Sequence, residues 1–460
     1  MNLITARSNV SAVTLSDGRV LIAGGQHDYG TYTGPLATCE IFDGRKAPRA
    51  AKPMLEARFG HTLTVLANGN VLATGGSYQD SRLRYFRAPV RSSAEIFNPS
   101  TGRWYATGSM NFERAEHAAV LLKDGKVLIA GDRKEVELYN PKTGKFTIAA
   151  NLNFARSNIR MVALKDGRVL VLGYGDVVDG TSELTAEIYY PDTKTFKLTL
   201  PALVHRAGRF TATLLSDGKV LIAGGDTDVG NPATAELFDP ITGEFSLLGS
   251  LSADRSGHSA TLLADGSVLI AGGEGTVNRD APDSEYVTGL LSSVEIIYPA
   301  AGKIVQAVGL SSGRAGHGAV LIAGKSGVTA FMLGGTNGSG SLASIETPNL
   351  SIVPATYKFG NFQPLSITMY RDGGTIRMSG HLNKSTAAEI RYDGRFSSDT
   401  RGQIFVTITG YTGIADEERS MSAFEVTALD AALKAYIGTT PEADPVYALL
   451  RERFSEFLNQ

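Results

Sequence analysis

The chain has 460 residues, of which 43% are hydrophobic, an ordinary share for a globular protein large enough for more than one domain. Its 44 Lys and Arg residues nearly balance its 46 Asp and Glu residues, so charge gives no general attraction to nucleic acid or to an anionic membrane. A single cysteine, Cys39, excludes a disulfide within the chain, and no apolar run is long enough for a membrane span.

Seven copies of one motif follow one another from the start of the chain. Each copy contains an arginine, an Asp-Gly or similar turn, and a glutamate that precedes apolar residues. The arginines are Arg7, Arg58, Arg114, Arg156, Arg206, Arg255 and Arg314. The glutamates are Glu40, Glu95, Glu137, Glu187, Glu236, Glu295 and Glu346. The spacing of the copies is typical of propeller blades and too long for helical repeats.

Each copy predicts four antiparallel strands. In the fifth copy, apolar runs at 211–215 and 220–223 flank an Asp-Gly pair, which supplies the positive φ of a tight hairpin. A third strand is expected at 235–238 and a fourth at 245–248, on either side of a second turn. Four antiparallel strands make one blade of a β-propeller.

These motifs carry a family resemblance. The order Arg-x-x-His, turn, Val-Leu-Ile-Ala-Gly-Gly, then Ala-Glu-(Ile/Leu)-(Tyr/Phe) and a second turn before an aromatic residue, resembles the kelch repeat of the galactose-oxidase central domain and of bacterial and phage proteins. The resemblance covers residues 1–355 and implies an all-β, seven-bladed propeller. Blade one departs from the pattern, because residues 44–48 replace the usual second turn.

Most of the repeated residues are expected to be structural. A Gly pair at a strand end permits close approach of backbones, and the repeated glutamate is expected to accept hydrogen bonds from buried donors. Four histidines stand three residues after the blade arginine: His61, His117, His258 and His317. The same position in the other blades is predicted to hold Val10, Ile159 and Arg209. Symmetry spaces these histidines apart, which favours a structural role over a metal site, with an anion-binding ring of Arg and His as the alternative.

The loops that follow the Gly pairs vary most in length, and symmetry places them on one rim. Loops on a rigid scaffold concentrate binding residues, so this rim is the predicted functional surface. The blade-two insertion is rich in arginine and aromatic residues, which anchor interfaces, and the blade-six insertion is acidic. The predicted binding residues are Tyr29, Tyr32, Tyr78, Arg82, Arg84, Tyr85, Phe86, Arg87, Arg91, Asp280, Asp283, Glu285 and Tyr286. Solvated loops, or loops that pack on a second domain, are the alternative.

These features predict a non-enzymatic recognition protein that binds a protein or glycan partner on its rim. Kelch-like propellers also occur among phage tail and fibre components, which suggests carbohydrate or receptor binding by a structural protein of a virion. The first repeat follows Met1 without a secretory signal, so a location in the cytoplasm after synthesis, or in a virion, is expected. Neither nucleic-acid binding nor membrane insertion is expected.

An enzyme is the alternative. Galactose-oxidase-like copper enzymes of this fold need a Tyr cross-linked to Cys, a Tyr-His pair and a further His, and the chain has no Tyr-His pair. Gly-x-Ser-x-Gly, phosphate-binding Gly-rich Lys and His-Glu-x-x-His motifs are also absent, so no catalytic residue, cofactor or metal is predicted. A carbohydrate-active kelch enzyme similar to a sialic-acid epimerase, with Arg, His and Glu at the propeller mouth, is the runner-up.

Residues 356–460 predict a separate small α+β domain. Alternating apolar residues, such as Leu365, Ile367 and Met369, indicate an antiparallel sheet over 359–411. Two helices are expected after it, one that ends at Gly438 and one that follows Pro445 with an apolar stripe. The stripe predicts packing on the domain's own sheet, with an oligomer or assembly contact as the alternative.

Overall fold

The first 348 residues form a seven-bladed β-propeller. The computed structural model describes residues 1–348, apart from 31, 79–88, 176–184, 205, 207, 227–232, 277–287 and 325–326, and the backbone of five strands between 366 and 419. Each of blades one to six is a four-stranded antiparallel sheet, as the repeat predicts. The Val-Leu-Ile-Ala strand pairs with the apolar run before it across the predicted Asp-Gly turn. In blade five, for example, Thr211 pairs with Ala223.

The strands of each blade are given in chain order. Blade one contains Ser11–Thr14, Val20–Ala23, Cys39–Phe42 and Arg49–Ala51, with a hairpin of Gln26–Asp28 and Thr33–Pro35 inserted after its second strand. Blade two contains Thr62–Val65, Val71–Thr74, Ala94–Asn98 and Arg103–Ala106. Blade three contains Ala118–Leu121, Val127–Ala130, Glu135–Asn140 and Lys145–Asn151. Blade four contains Arg156–Ala163, Val169–Gly175, Thr185–Tyr190 and Thr195–Pro201.

Blades five to seven continue the series. Blade five contains Thr211–Leu214, Val220–Ala223, Thr234–Asp239 and Glu244–Ser250. Blade six contains Ser259–Leu262, Val268–Ala271, Val294–Tyr298 and Lys303–Ala307, with an inserted hairpin of Glu274–Thr276 and Thr288–Leu290 and a short 3₁₀ turn at Pro299–Ala301. Blade seven contains Gly318–Gly324, Gly327–Leu333 and Ile345–Glu346.

The hydrophobic core lies between neighbouring blades. The second strand of each of blades one, two, three, five and six has the sequence Val-Leu-(Ile/Ala)-(Ala/Thr) and is fully buried. Side chains from its two faces enter the clusters on either side, so that Val20 and Ile22 pack against blade seven, and Leu21 and Ala23 against blade two. Burial on both faces explains why the sequence of this strand is a continuous apolar run and does not alternate between apolar and polar residues.

The Gly pairs allow the blades to approach each other. Gly24 has a φ of +65°, and a Cβ there would lie 2.5 Å from the carbonyl oxygen of Arg58 in the next blade. Gly25 donates its backbone N–H to that same oxygen. The structural role predicted for the Gly pair is therefore confirmed.

The repeated arginine and glutamate form one buried ion pair in each blade. In blade two the Arg58 guanidinium donates to Glu95 and to the backbone oxygens of Gly75 and Ser93. The Glu95 carboxylate also accepts the backbone N–H groups of Leu55 and Glu56, which connect blade one to blade two. The glutamate satisfies buried donors, as predicted, and fastens the connection between blades.

Blade seven obtains its outermost strand from the start of the chain. Asn2 forms an antiparallel bridge with Ser344, Leu3 donates its N–H to the oxygen of Ala343, and Ile345 donates to the oxygen of Met1. Leu3 is 4% exposed and lies in the cluster shared by blades seven and one. The two ends of the propeller are thus joined by strand pairing.

The chain divides into two compact units, Met1–Pro299 with Gly309–Pro348, and Ala300–Val308 with Asn349–Gln460. In the second unit, five strands form an antiparallel sheet in chain order: Ser366–Asp372, Thr375–Asn383, Glu389–Ser398, Ile404–Thr412 and Ala415–Arg419. The two helices predicted after the sheet lie outside the described residues. The α+β class of residues 356–460 and the domain boundary at 355 therefore stay predictions.

Candidate functional site

A cavity of about 880 Å³ lies where the beginnings of all seven inner strands converge. We call it the mouth cavity. Its wall combines the residues that follow each blade arginine, such as Asn9, Asn158 and Arg209, with residues of the loops after the Gly pairs, such as Asp28 and Glu274. Both groups of residues are expected on one face of a kelch-like propeller, and the cavity confirms that they share it.

Seven residues, one from each blade, form a ring around this cavity with the same left-handed backbone. Their φ values lie between +48° and +62°. They are Asn9, Gly60, Glu116, Asn158, Arg209, Gly257 and Gly316. Glycine adopts this conformation without strain and asparagine tolerates it, whereas Glu and Arg are uncommon there. Such strained residues cluster at functional sites because the surrounding structure must hold them in place.

Backbone hydrogen bonds join neighbouring members of this left-handed ring. Gly257 donates to the oxygen of Arg209, and Gly316 donates to the oxygen of Gly257. On the other side of the mouth, Glu116 donates its N–H to the oxygen of Gly60 at 2.7 Å. These bonds hold the Glu116 and Arg209 backbones in their unfavourable conformation.

The four histidines lie directly behind the ring, and three of them hydrogen-bond to the preceding blade. In each of these three pairs the hydroxyl belongs to the preceding blade. His117 Nε2 lies 2.9 Å from Thr74 Oγ1, His258 Nε2 lies 3.0 Å from Thr211 Oγ1, and His317 Nε2 lies 2.9 Å from Ser259 Oγ. Burial lowers the pKa of His61, His117 and His317 to about 3 and that of His258 well below its usual value, so all four are neutral near pH 7. The structural role predicted for them is supported.

Blade five differs from the sequence alignment at this position. Phe210, not Arg209, occupies the place of the histidines, because its Cβ faces Gly225 as the His258 Cβ faces Gly273. One additional residue between Arg206 and the first strand moves Arg209 into the left-handed ring. The predicted equivalence of Arg209 with the histidines is therefore wrong.

Arg160 and Glu116 place opposite charges on neighbouring blades at the cavity wall. Arg160 uses Nε to donate to the oxygen of Phe210 and Nη1 to donate to the oxygen of Ile159, while its Nη2 has no hydrogen-bond partner among the described residues. Burial lowers the pKa of Arg160, and the nearby Glu116 carboxylate partly offsets this. Among the described residues, the Glu116 side chain has no hydrogen-bond or ion-pair partner either, and it is exposed to the cavity.

Arg209 is held by two carboxylates at the same mouth. Its Nε and Nη2 donate to the two oxygens of Asp226, at 2.8 and 3.1 Å, and its Nη1 donates to Glu274 at 2.9 Å. Asp226 follows the Gly pair of blade five and Glu274 that of blade six. Hydrogen bonds with Asp226 raise the pKa of Arg209. Arg209 thus joins blades five and six and has fewer donors left for a ligand than Arg160.

Only four of the predicted binding residues fall among the described residues, and none of the four lines the mouth cavity. Tyr29 and Tyr32, on the blade-one hairpin, stack on each other. The Cζ of Arg91 lies 4.3 Å from the centre of the Tyr78 ring. The other nine lie outside the described residues: Arg82, Arg84, Tyr85, Phe86, Arg87, Asp280, Asp283, Glu285 and Tyr286. The binding role of the rim loops stays a prediction.

The left-handed ring is the feature that sequence reasoning missed. A signal was present, because five of the seven blades carry Gly or Asn at this position, the residues that favour positive φ. Glu116 and Arg209 break that pattern and could have been singled out. Finding Arg209 also required the extra residue of blade five to be recognised.

Comparison with known proteins shows a shared fold. A solved structure described as a novel fungal alcohol oxidase with catalytic diversity among the AA5 family, in complex with copper, is 14% identical with a TM-score of 0.56 and covers 88% of this chain and 98% of its own. At this identity the likeness establishes the fold alone. No model of a known protein family matches the chain, and no curated protein matches it either.

The described residues do not fit a copper ion. They contain no group of three His, Cys, Asp or Glu residues that could hold a metal, and no tyrosine lines the mouth cavity. Three of the four mouth histidines direct Nε2 at a hydroxyl of the neighbouring blade. Cys39 is buried between blades one and two, away from the mouth, and burial raises its pKa to about 11.

The comparison overturns the predicted role of the protein. The prediction of a non-enzymatic recognition protein is contradicted, because the propeller that matches 88% of the chain is an enzyme. The fold match also gives no support to a phage-tail, virion or receptor-binding role. No described helix is long and apolar enough to cross a membrane. Partners and location in the cell stay predictions.

Proposed function

We propose that this protein is an enzyme that binds a small hydroxyl-bearing molecule in the mouth cavity and catalyses a proton transfer between that molecule and an enzyme side chain. One observation carries the proposal: on the wall of one cavity, neighbouring blades hold the Glu116 carboxylate and the Arg160 Nη2, and neither has a partner among the residues that the structure describes. The alcohol named for the similar fungal enzyme agrees with a hydroxyl-bearing substrate. The motif order and the propeller together support membership of the kelch-repeat proteins.

The chemistry follows from the two side chains. A hydroxyl group both donates and accepts hydrogen bonds, so it can donate to the Glu116 carboxylate while it accepts from Arg160 Nη2. In an aldose or ketose, Glu116 takes up the proton from the carbon between the carbonyl and a hydroxyl group, the Arg160 guanidinium stabilises the negative charge on the resulting enediolate oxygen, and the protonated Glu116 returns a proton to carbon. The polar residues Asn9, Gln26 and Asn158 supply further hydrogen-bonding groups on the cavity wall.

The binding step can be tested with sorbitol as a probe and the full chain. We expect Glu116→Gln and Arg160→Met to weaken sorbitol binding, measured by saturation-transfer NMR, at least about tenfold, as for the loss of a hydrogen bond to a charged group. Glu113→Gln and Arg45→Met remove equivalent groups that are exposed and lie outside the cavity, and should bind as the native chain does. Equal binding by all five proteins would refute this site.

The proton-transfer step has a separate readout. Aldoses and ketoses incubated with the enzyme in deuterium oxide should exchange a carbon-bound hydrogen for deuterium, and Glu116→Gln should slow the exchange about a hundredfold or more. Sugar binding that depends on Glu116 and Arg160 without any exchange would support the binding site and refute the proposed reaction.

A further inference from the structure

We infer that Phe210 is a positioning residue for the proposed reaction, because it holds the Arg160 guanidinium while leaving Nη2 for the substrate. This inference rests on the proposed function, since Arg160 is the group assigned there to the substrate oxygen. Arg160 and Phe210 face each other across the interface between blades four and five.

The same two repeat positions face each other at all seven interfaces between blades. One is the residue that pairs with the last residue of the Val-Leu-Ile-Ala strand, and Arg160 pairs with Leu172 there as Thr211 pairs with Ala223. The other is the histidine position of the next blade. The seven pairs are Ser11 with His61, Thr62 with His117, Ala118 with Ile159, Arg160 with Phe210, Thr211 with His258, Ser259 with His317 and Gly318 with Val10.

One of these seven pairs differs in chemistry from the rest. A hydroxyl-bearing residue faces a histidine at four interfaces, and a small residue faces an aliphatic one at two. Arginine and phenylalanine occur only between blades four and five, so both substitutions fall on one interface, at the wall of the mouth cavity.

The phenylalanine offers no hydrogen-bonding atom to the residue that faces it. His258 and His317 engage the hydroxyl of the preceding blade through Nε2, whereas the Phe210 ring is buried and has neither nitrogen nor oxygen. The described hydrogen bonds of the Arg160 guanidinium go to backbone oxygens, from Nε to Phe210 at 3.1 Å and from Nη1 to Ile159 at 2.9 Å. Nη2 is therefore not used within the interface.

The ring also gives the guanidinium a surface to lie against. Arg160 Cζ is 5.8 Å from the centroid of the Phe210 ring, within the range of a cation–π contact. A histidine at position 210 would be neutral when buried, as the other four are, and its ring nitrogen would accept a hydrogen bond from the guanidinium. Phenylalanine thus restrains Arg160 without occupying a donor.

The first test is sorbitol binding to the full chain, measured by saturation-transfer NMR. Phe210→His should weaken binding at least about tenfold, because the imidazole takes up Nη2. Phe210→Leu should weaken it about threefold, because the cation–π contact is lost. Phe238→Leu is the matched control and should bind as the native chain does, because Phe238 is fully buried in the same core cluster and packs against Phe245.

The second test reports on the guanidinium without a ligand. Phenylglyoxal modifies arginine side chains, and peptide mass spectrometry follows its reaction with Arg160. Phe210→His should slow this modification at least about fivefold, because Nη2 is hydrogen-bonded. A loss of packing alone would loosen the interface and speed the reaction, so the direction of the change distinguishes positioning from a structural role.

The outcomes separate this inference from the proposed function. Native sorbitol binding by Phe210→His and Phe210→Leu, with binding lost in Arg160→Met, would overturn the role of Phe210 and still support the mouth cavity. Equal losses of binding in Phe210→Leu and Phe238→Leu would show an effect of core packing and would also overturn it. A native chain that does not bind sorbitol refutes the proposed function, and the phenylglyoxal rates then still decide whether Phe210 keeps Nη2 unoccupied.

Discussion

At four positions of the left-handed ring the chain keeps a side chain where glycine would be free of strain. Three other blades carry Gly60, Gly257 and Gly316 at the same place. The backbone therefore does not need a side chain there, so a side chain that is kept despite the strain is a candidate for contact with a ligand. Glu116 is the clearest case, because it lacks a partner among the described side chains.

Replacement of Glu116 by glycine should separate stability from function. Glu116→Gly removes the backbone strain of a non-glycine residue with a left-handed conformation, so the free energy of unfolding should rise by about 1 kcal/mol. The same substitution should abolish sorbitol binding. Urea unfolding gives the first quantity. Glu113→Gly, at a nearby exposed residue without a positive φ, should lower the free energy of unfolding instead. A less stable Glu116→Gly protein would argue against stored strain.

The buried histidines predict how stability depends on pH. Their pKa falls from 6.5 in the unfolded chain to about 3 in the folded one for His61, His117 and His317. The unfolded chain therefore binds more protons between these values, and stability is lost as the pH falls from about 6.5 towards 3. Each histidine contributes a slope of up to about 1.4 kcal/mol per pH unit.

A single substitution tests this slope. His117→Gln should reduce the dependence of the unfolding free energy on pH between 4 and 6 by about one proton, whatever its effect at pH 8. Urea titrations across that range measure the slope. An unchanged slope would mean that His117 takes up a proton in the folded protein.

At the scale of the elements, a very short segment at the start of the chain closes blade seven. It consists of Met1–Leu3, and its backbone hydrogen bonds to Ala343 and Ile345 join the first and last blades. The buried Leu3 side chain adds the apolar contact that such a short strand needs.

Closure can be probed with two adjacent residues. Leu3→Ala should lower the free energy of unfolding by about 2–4 kcal/mol, because it removes a buried side chain between two blades. Ile4→Ala, at a residue 59% exposed, should change it by less than about 0.5 kcal/mol. Similar effects of both substitutions in urea unfolding would show that the closing strand contributes little.

At the scale of the whole molecule, the outer strands of blades three, four and five differ from the rest. Each has seven residues and each contacts the outer strand of its neighbour in this group. Ile148, Leu198, Leu200 and Leu247 on these strands are between 46% and 57% exposed. Exposed apolar side chains on edge strands favour self-association.

Polar substitution on this surface should improve solubility without cost to the fold. We expect the double variant Leu198→Thr, Leu200→Thr to bind less of a hydrophobic dye and to aggregate more slowly on heating, with a melting temperature within about 2 °C of the native one. Dye fluorescence measures the first quantity, light scattering during a thermal ramp the second, and a thermal melt followed by circular dichroism the third. A large drop in melting temperature would show that these side chains pack in solution.

The repeat made most of the propeller predictable, and the site much less so. Blade number, hairpins and the buried Arg–Glu pairs follow from residues that recur in register, such as Arg58 and Glu95, because each blade must solve the same packing problem. The site depends on what differs between blades. Glu116 and Arg160 lie 44 positions apart in sequence and meet only because the ring brings two inner strands together, and the extra residue before Arg209 altered its position.

The left-handed ring also bears on how such a protein can diversify. Its seven members share one backbone conformation, and the described hydrogen bonds between neighbouring members join main-chain atoms, so these bonds do not depend on which side chain a member carries. The mouth therefore has seven equivalent backbone positions, one in each blade, at which different side chains can occur. A Cβ at Gly257 would meet no neighbour closer than 3.9 Å, whereas one at Gly60 would lie 3.2 Å from Glu116 and one at Gly316 would lie 3.3 Å from Asn9. Gly257 is therefore the member at which a new side chain would displace its neighbours least.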